Sequence, residues 1–483
     1  MSLIDITTSS VRWSSIAQIG KQFMQWVTTL VLTQQLSPND FGLISMALVV
    51  TGFISLFNNL GTSAAIIQKD FLSEALLSSL FWINLVFGLL SMVLIILVAP
   101  IASYIYHEPR VIPILRVLSF SFLISGLSII QQALFERDLA FQRLAKIELV
   151  AVTSGSVVGI VLAFLGASVW SLVFQTLVTG TIITILLWTF SEWKPRFIFC
   201  WKDVKSVSRY SLNLFGFHIF NYFSRNADYL LIGRFLGAQN LGYYTIAYRI
   251  MFYPIQTISS VIGRVMFPVY SQIQNDNIQF RNIYLSVTAS IAVFTFPIMV
   301  GLWGISRLFT ITLLGSKWEP IIYLLKILAP VGMVQSIITT VGTIYQAKGR
   351  TDWMLRLGIV VGFSTIIAFV IGLKWGITGI AISYAIVTGI FIYPNLAIPY
   401  KLINLPIRDL GKSIWRPFFA CMVMLIVVLS SKYVLTPVLT SRQLLAILVS
   451  VGIIIYFFSS WWINRDQIQE ILNIIGIHGG ARN

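Results

Sequence analysis

Apolar runs follow one another along nearly the whole chain, separated by short polar turns, and many reach the roughly 20 residues that a helix needs to cross a bilayer. A window of about 19 residues predicts fourteen spans, near 14–35, 41–60, 79–104, 112–133, 147–166, 168–190, 210–235, 240–266, 283–303, 321–343, 353–373, 376–397, 415–434 and 443–463. Spans 1, 7 and 8 are the wettest. The longest polar interruption is SEWKPRFIFCWKDVKSVSRY, a basic amphipathic stretch after the sixth span. It reads as a linker lying along the membrane between two halves. The pattern therefore predicts an all-α integral membrane protein of about fourteen transmembrane helices. An N-terminal six-helix lobe covers 1–190, a cytoplasmic linker 191–209, and a second six-helix lobe 210–400. A helix pair and tail follow over 401–483.

An internal repeat supports the two lobes. Leu36–Ala47 aligns without gaps on Leu236–Ala247, with Leu, Gly and Ala identical at 36/236, 42/242 and 47/247. Both stretches fall in the first outer hairpin of a six-span unit. Val178-Thr179-Gly180 matches Val387-Thr388-Gly389 in the last span of each. Each half starts from the same side, so the repeats are expected to be parallel, related by an axis normal to the membrane.

Composition agrees. Only 10% of the 483 residues are charged and mean hydropathy is +0.85, whereas soluble domains carry about 25% charged residues. The net charge of +16 comes with no basic arm or aromatic-interleaved patch, which argues against nucleic acid. With the N-terminus inside, inner segments hold 21 Lys and Arg, from Arg12 and Lys69 through Lys194–Arg209 to Arg465 and Arg482; outer segments hold seven, including Arg110, Arg307, Lys317 and Lys432. That bias predicts cytoplasmic termini. The opening MSLIDITTSSVRWSS lacks a secretory-signal pattern, so the first apolar segment reads as a retained helix. Cys200 and Cys421 suggest no disulfide framework. His107, His218 and His478 are too dispersed for a metal site, and no phosphate-cradling loop suggests a nucleotide or other cofactor. Short outer loops, nearly free of acids, argue against an enzyme.

The candidate chemistry lies at membrane depth. Lys21, Arg116, Glu148, Arg225, Asp228, Arg249 and Lys326 sit within apolar stretches, and five of these seven are cations. Such charges cost roughly 2.5–3.5 kcal/mol on insertion scales, so they normally face a wet cavity or a partner. Gln18, Lys21, Gln22, Gln25 and Thr28 or Thr29 share one face of span 1. His218, Asn221, Arg225 and Asp228 occupy the equivalent positions 200 residues on. Two wet stripes suit a shared cavity; interhelical hydrogen bonding is the alternative. Lys21 has no acid in its own helix. Arg225 and Asp228, at i and i+3, are expected to pair, with Asp228 either a counter-ion or a group coupling transport to H⁺ or Na⁺. Membrane potential is the alternative to such an ion gradient as the expected energy source. Glu148 reads as interfacial, near a headgroup or Lys146. Arg249, Tyr253, Gln256 and Ser260 share a face suited to phosphate and sugar. Arg116 and Lys326 either line the cavity or snorkel. Pro254, Pro297, Pro330 and Pro394 make the second lobe the better candidate for bending.

The run Asn226–Tyr244 (NADYLLIGRFLGAQNLGYY), the run Val265–Asp276 (VMFPVYSQIQND), and Leu313–Pro320 (LLGSKWEP) with Leu324, Leu325 and Ile327 resemble signatures of Wzx-type polysaccharide flippases. The resemblance spans essentially the whole chain and is nearest the fourteen-helix branch that includes colanic-acid-type exporters. It implies a bacterial inner-membrane flippase for undecaprenyl-diphosphate-linked oligosaccharide, allied to the multidrug and toxin extruders and working by alternating access. It also implies membrane lipids, and possible polymerase and export machinery, as partners. A cationic cavity implied by the family fits Lys21, Arg225, Asp228 and Arg249. A drug or metabolite exporter, or a flippase for lipid-linked peptidoglycan precursor, is the competing expectation.

Overall fold

The structure is a computed structural model and describes residues 3–58, 66, 72–200 and 212–463, which are helical except for short connections. The helices are α1 (Leu3–Gln35), α2 (Pro38–Asn58), α3 (Glu74–Tyr106), α4 (Val111–Leu118), α5 (Phe120–Arg137), α6 (Phe141–Phe164), α7 (Trp170–Phe190), α8 (Leu212–Gln272), α9 (Asn277–Phe309), α10 (Ile321–Ile338), α11 (Val341–Ala347), α12 (Thr351–Gly372), α13 (Gly376–Leu402), α14 (Ile407–Leu435) and α15 (Ser441–Ile463). Among the described residues ten stretches are long and apolar enough to cross a membrane, Thr351–Leu402 among them with its internal turn. Neither α1 nor α8 is in that set, as their polar stripes foreshadow. Lys69, Lys202, Lys205, Arg209, Arg465 and Arg482 lie outside the described residues, as do the side chains of Arg12 and Arg264.

Local chemistry sets the helix ends. Pro38 opens α2, where a missing N–H is harmless, and Ser37 and Asp40 cap each other reciprocally, Ser37 N–H donating to Asp40 Oδ2 at 2.9 Å and Asp40 N–H to Ser37 Oγ at 3.3 Å. The Asp276 carboxylate accepts from Ile278 and Gln279 N–H at the start of α9. Gly237 breaks α8, its φ of 82° lying in the left-handed region that a side chain would strain. The chain folds back there, so that Gly233 faces Leu241.

Two compact units divide the chain, 1–245 and 246–483. In the first, helices approach closely at small residues. Gly88 of α3 faces the Phe122 carbonyl of α5, and Gly126 of α5 faces the Asn84 carbonyl of α3. Lipid supplies no hydrophobic drive between helices, so such close packing holds them. The described part of the linker, up to Cys200, is an extended strap on the start of α3. Arg196 N–H donates to Ser78 Oγ at 3.0 Å, Cys200 N–H donates to Ser79 Oγ at 2.8 Å, and Phe197 stacks on Trp82. In the second unit α9 forms the spine, with α10, α14 and α15 against it. Tyr284 bonds Thr340 at 2.8 Å and Tyr400 at 3.3 Å, and Tyr456 donates to the Val293 carbonyl.

The offset-200 repeat has a geometric counterpart within the first unit. A Cβ on Gly42 would overlap the Ala238 carbonyl, and one on Gly242 would overlap the Pro38 carbonyl. Thr245 Oγ1 donates to Ser45 Oγ at 3.1 Å. Contacts 42–238 and 38–242 exchange under the offset, while 45–245 maps onto itself. Equivalent segments thus cross each other about a local two-fold axis, as in an isologous interface.

Candidate functional site

The polar stripe of α1 is tied to α6 by an ion pair between Lys21 and Glu148, whose side chains are 20% and 34% exposed. Lys21 finds on another helix the acid that its own lacks, and Glu148 is engaged with α1 rather than with Lys146, which corrects the expected neighbour of Glu148. The cause is packing: α1 runs against α6, and Gly20 leaves little more than van der Waals room beside Leu149. Two opposite charges at membrane depth are held at lower cost together than either alone. Gln22 is buried and its Oε1 has no hydrogen-bond partner among the described residues, while Gln18 and Gln25 are half-buried. Thr28 and Thr29 turn their hydroxyls onto the Met24 and Gln25 carbonyls at 2.7 Å, so they add less polarity than their sequence positions suggest.

On the first limb of α8, Asn221 is half-buried, Arg225 exposed and Asp228 only 4% exposed. The expected Arg225–Asp228 pair does not form. Residues three apart on a helix point about 60° apart around its axis. Asp228 uses that difference to turn inward, accepting from the Tyr229 N–H at 2.8 Å and meeting the Tyr244 hydroxyl of the second limb. The side chain of His218 lies outside the described residues.

Further along α8, in the second unit, Arg249 and Tyr253 are half-buried and Gln256 is exposed; the Ser260 side chain lies outside the described residues. Arg116 is exposed in the last turn of α4, and Lys326 is exposed on α10. The structure thus joins Lys21 to Glu148 and sets Asp228 near Tyr244, while Arg225, Arg116 and Lys326 are on accessible faces. Among the described residues no three His, Cys, Asp or Glu side chains group as a metal site.

Sequence reasoning missed Tyr222 and Tyr244. Tyr222 donates to the Val49 carbonyl at 2.6 Å and packs on Phe53 and Phe223. Periodicity gives no hint of either role, because both tyrosines sit among aromatic neighbours that read as apolar. At the turn after α3, Arg110 grips Glu108 through both carboxylate oxygens at 2.8 Å and reaches Asn39. That side-chain hydrogen bonding holds the Glu108 carboxyl below its usual range. Nearby, Arg234 and His107 Nε2 are 2.8 Å apart.

Comparison with known proteins adds the following. The profile of a family described as polysaccharide biosynthesis protein matches residues 31–323. The chain is 29% identical over 462 residues to the teichuronic acid biosynthesis protein TuaB of Bacillus subtilis (strain 168), covering 93% of this chain and 94% of that one. It is 27% identical over 435 residues to the lipopolysaccharide biosynthesis protein WzxC of Escherichia coli (strain K12), covering 88% of each. Among solved structures, the lipid II flippase MurJ in an inward closed conformation superposes with a TM-score of 0.75 at 18% identity, over 94% of this chain and 99% of that one. That last likeness is one of fold.

Proposed function

The chain belongs to the polysaccharide biosynthesis protein family, and from that premise we propose that it is a flippase for undecaprenyl-diphosphate-linked oligosaccharide repeat units in the bacterial inner membrane. The observation that carries the reading is joint. Relatives named for polysaccharide biosynthesis match it nearly end to end, and its fold is shared with a lipid II flippase over 94% of its length. In this reading the fourteen predicted spans all cross, the termini are cytoplasmic, and the two six-helix lobes alternate access to a cationic cavity. The cargo supplies a physical reason for the charges. Its head is anionic and hydrated while its polyprenyl tail is apolar, so the head needs a wet cationic path and the tail can remain in lipid.

Within that path Arg225 and Arg249 are the proposed diphosphate contacts, Arg for its bidentate geometry. Asn221, Gln25 and Tyr253 offer hydrogen bonds and an aromatic face to sugars. Lys21, balanced by Glu148, sets polarity more than it supplies net charge. Arg116 and Lys326, both exposed, are further cationic contacts of the path or snorkel to its edge. Asp228, turned away from Arg225, is the candidate for coupling to H⁺ or Na⁺.

The test is transport by the purified protein in liposomes. A fluorescent polyprenyl-diphosphate oligosaccharide on one leaflet should become accessible to an impermeant glycosidase on the other only when the protein is present. Absence of glycolipid transfer together with efflux of cationic dyes would instead establish the drug-exporter alternative. Transfer of lipid-linked peptidoglycan precursor in preference to other glycans would identify the cargo as that precursor.

A further inference from the structure

The last turn of α3 and the first limb of α8 meet through two adjoining pairs, both within the first compact unit. Gly233 faces the Tyr106 ring so closely that a Cβ there would lie 2.8 Å from Tyr106 Cε1, and both residues are buried. One residue further along each segment, at the exposed rim, an Arg234 guanidinium nitrogen and His107 Nε2 are 2.8 Å apart. Arg234 stands just before Gly237, where α8 breaks, so the pair ties α3 to the tip of the α8 hairpin.

The position of His107 points to a role for its ring. It caps α3 with φ 53°, its N–H donating to the Ser103 carbonyl. Glycine takes that left-handed position without strain, so a side chain there carries a backbone cost. Arginine has no acceptor, so the contact calls for an unprotonated Nε2 that accepts, with the ring proton on Nδ1. The other titratable or charged groups at this corner offer no spare carboxylate. α3 and its turn supply Tyr104, whose ring is 6.3 Å from the imidazole, Tyr106, and Glu108, which Arg110 holds through both oxygens at 2.8 Å. α2 supplies Asp40, which accepts from the Ser37 hydroxyl at 2.6 Å and from that of Ser168. α8 supplies Arg234 itself, and among the described residues no carboxylate pairs with it. Protonation of Nε2 removes the acceptor and sets an imidazolium against a guanidinium, like charges with no acid free to join them. An imidazole ordinarily changes charge near pH 6.5, at about the middle of the physiological range.

We propose that His107 and Arg234 form a proton-sensitive latch between α3 and the α8 hairpin, closed while the imidazole is neutral and released when it is protonated. The crossing at Gly42 and Gly242 holds the second limb through backbone approach, so release frees the tip of the first limb and leaves the crossing in place. In the proposed orientation the latch faces outside. The contact itself depends on neither the cargo nor the sidedness.

The experiment uses the full chain purified in detergent, with Cys200 and Cys421 replaced by Ser. Spin labels at Ile105→Cys and Gln239→Cys, both exposed positions, report by double electron–electron resonance the distance between the end of α3 and the hairpin tip. From about pH 8 to about pH 5.5, the ratio of a longer, released population to the short one should rise roughly fivefold, the scale of one exposed charge–charge contact. His107→Gln keeps an acceptor that does not titrate, and should stay latched at both pH values. His107→Lys, a fixed cation, should be released at both. Arg234→Gln should abolish the pH response with His107 in place, and His478→Gln should behave as wild type. Identical distances in wild type across this range overturn the proposal. A pH-dependent shift that persists in His107→Gln also overturns it, by assigning the proton to His218 or to a carboxylate.

Discussion

At the scale of single residues, one of the charges set in apolar sequence is resolved by pairing across helices, while Arg116, Arg225 and Lys326 are exposed. Lys21 and Glu148 come from helices more than a hundred positions apart in sequence and neutralise each other. Lys21→Ala is expected to reduce export, and Glu148→Ala to reduce it similarly. The double variant should lose less than the sum, with a coupling of roughly 0.5–3 kcal/mol expressed as export rate or unfolding free energy. A Lys21→Ala loss with a silent Glu148→Ala would assign Lys21 a direct substrate contact in place of the pair. Glu108 makes a separate prediction, set by pH. Its folded carboxyl is depressed by the Arg110 hydrogen bonds, so the contribution is present above the ordinary carboxylate range, near 4.3. It is lost as pH falls through the lower folded value. Wild type should therefore unfold at higher temperature than Glu108→Gln at pH 7, and the gap should narrow as pH falls below the ordinary carboxylate range. Arg110 is 59% exposed, so the gap is at most about 1 kcal/mol. A gap independent of pH would remove the ionic explanation.

At the scale of elements, glycine decides how close two helices come. Gly42 and Gly242 each face a backbone carbonyl of the partner segment, and a carbonyl cannot rotate away as a side-chain tip can. Gly42→Ala and Gly242→Ala are each expected to destabilise by about 1–3 kcal/mol, in the range of an overpacked core. The local two-fold makes the two losses similar in size. Gly389→Ala on α13 is the control, because nothing lies within 4 Å of its Cβ position; its unfolding midpoint should stay level or rise. Comparable behaviour of all three variants in thermal unfolding would mean that the crossing is looser than its geometry. The break at Gly237 obeys a different rule. Its φ of 82° suits glycine alone, so Gly237→Val should disturb the hairpin of α8 through the backbone itself.

At the scale of the whole molecule, the open prediction is sidedness. Inner segments hold 21 basic residues and outer ones seven in the proposed orientation, a bias of the kind that sets insertion. Single cysteines at Ser191, which ends α7, and Ser316, in the turn before α10, would be introduced in a background lacking Cys200 and Cys421. An impermeant thiol reagent should reach Ser316→Cys from outside and leave Ser191→Cys unlabelled. The opposite pattern would invert the topology and with it the direction of transport.

The sequence by itself determined the helical class, the places where most helices run, and the existence of an offset-200 repeat. These follow from local information: apolar length, capping residues such as Asp276, and the Gly42/Gly242 match. It also determined which charges lie in apolar surroundings. Their partners came only from tertiary structure. Lys21 and Glu148 are 127 positions apart, and no periodicity links them. Arg225 and Asp228 are so close in sequence that pairing was the natural expectation, yet the fold at Gly237 brought Tyr244 to Asp228 and left Arg225 outside. The crossing at Gly42 and Gly242 shows both levels at once. The repeat was legible because equivalent segments kept equivalent residues. That those segments cross each other was not, because contact depends on how helices pack in space, and one-dimensional patterning does not specify it.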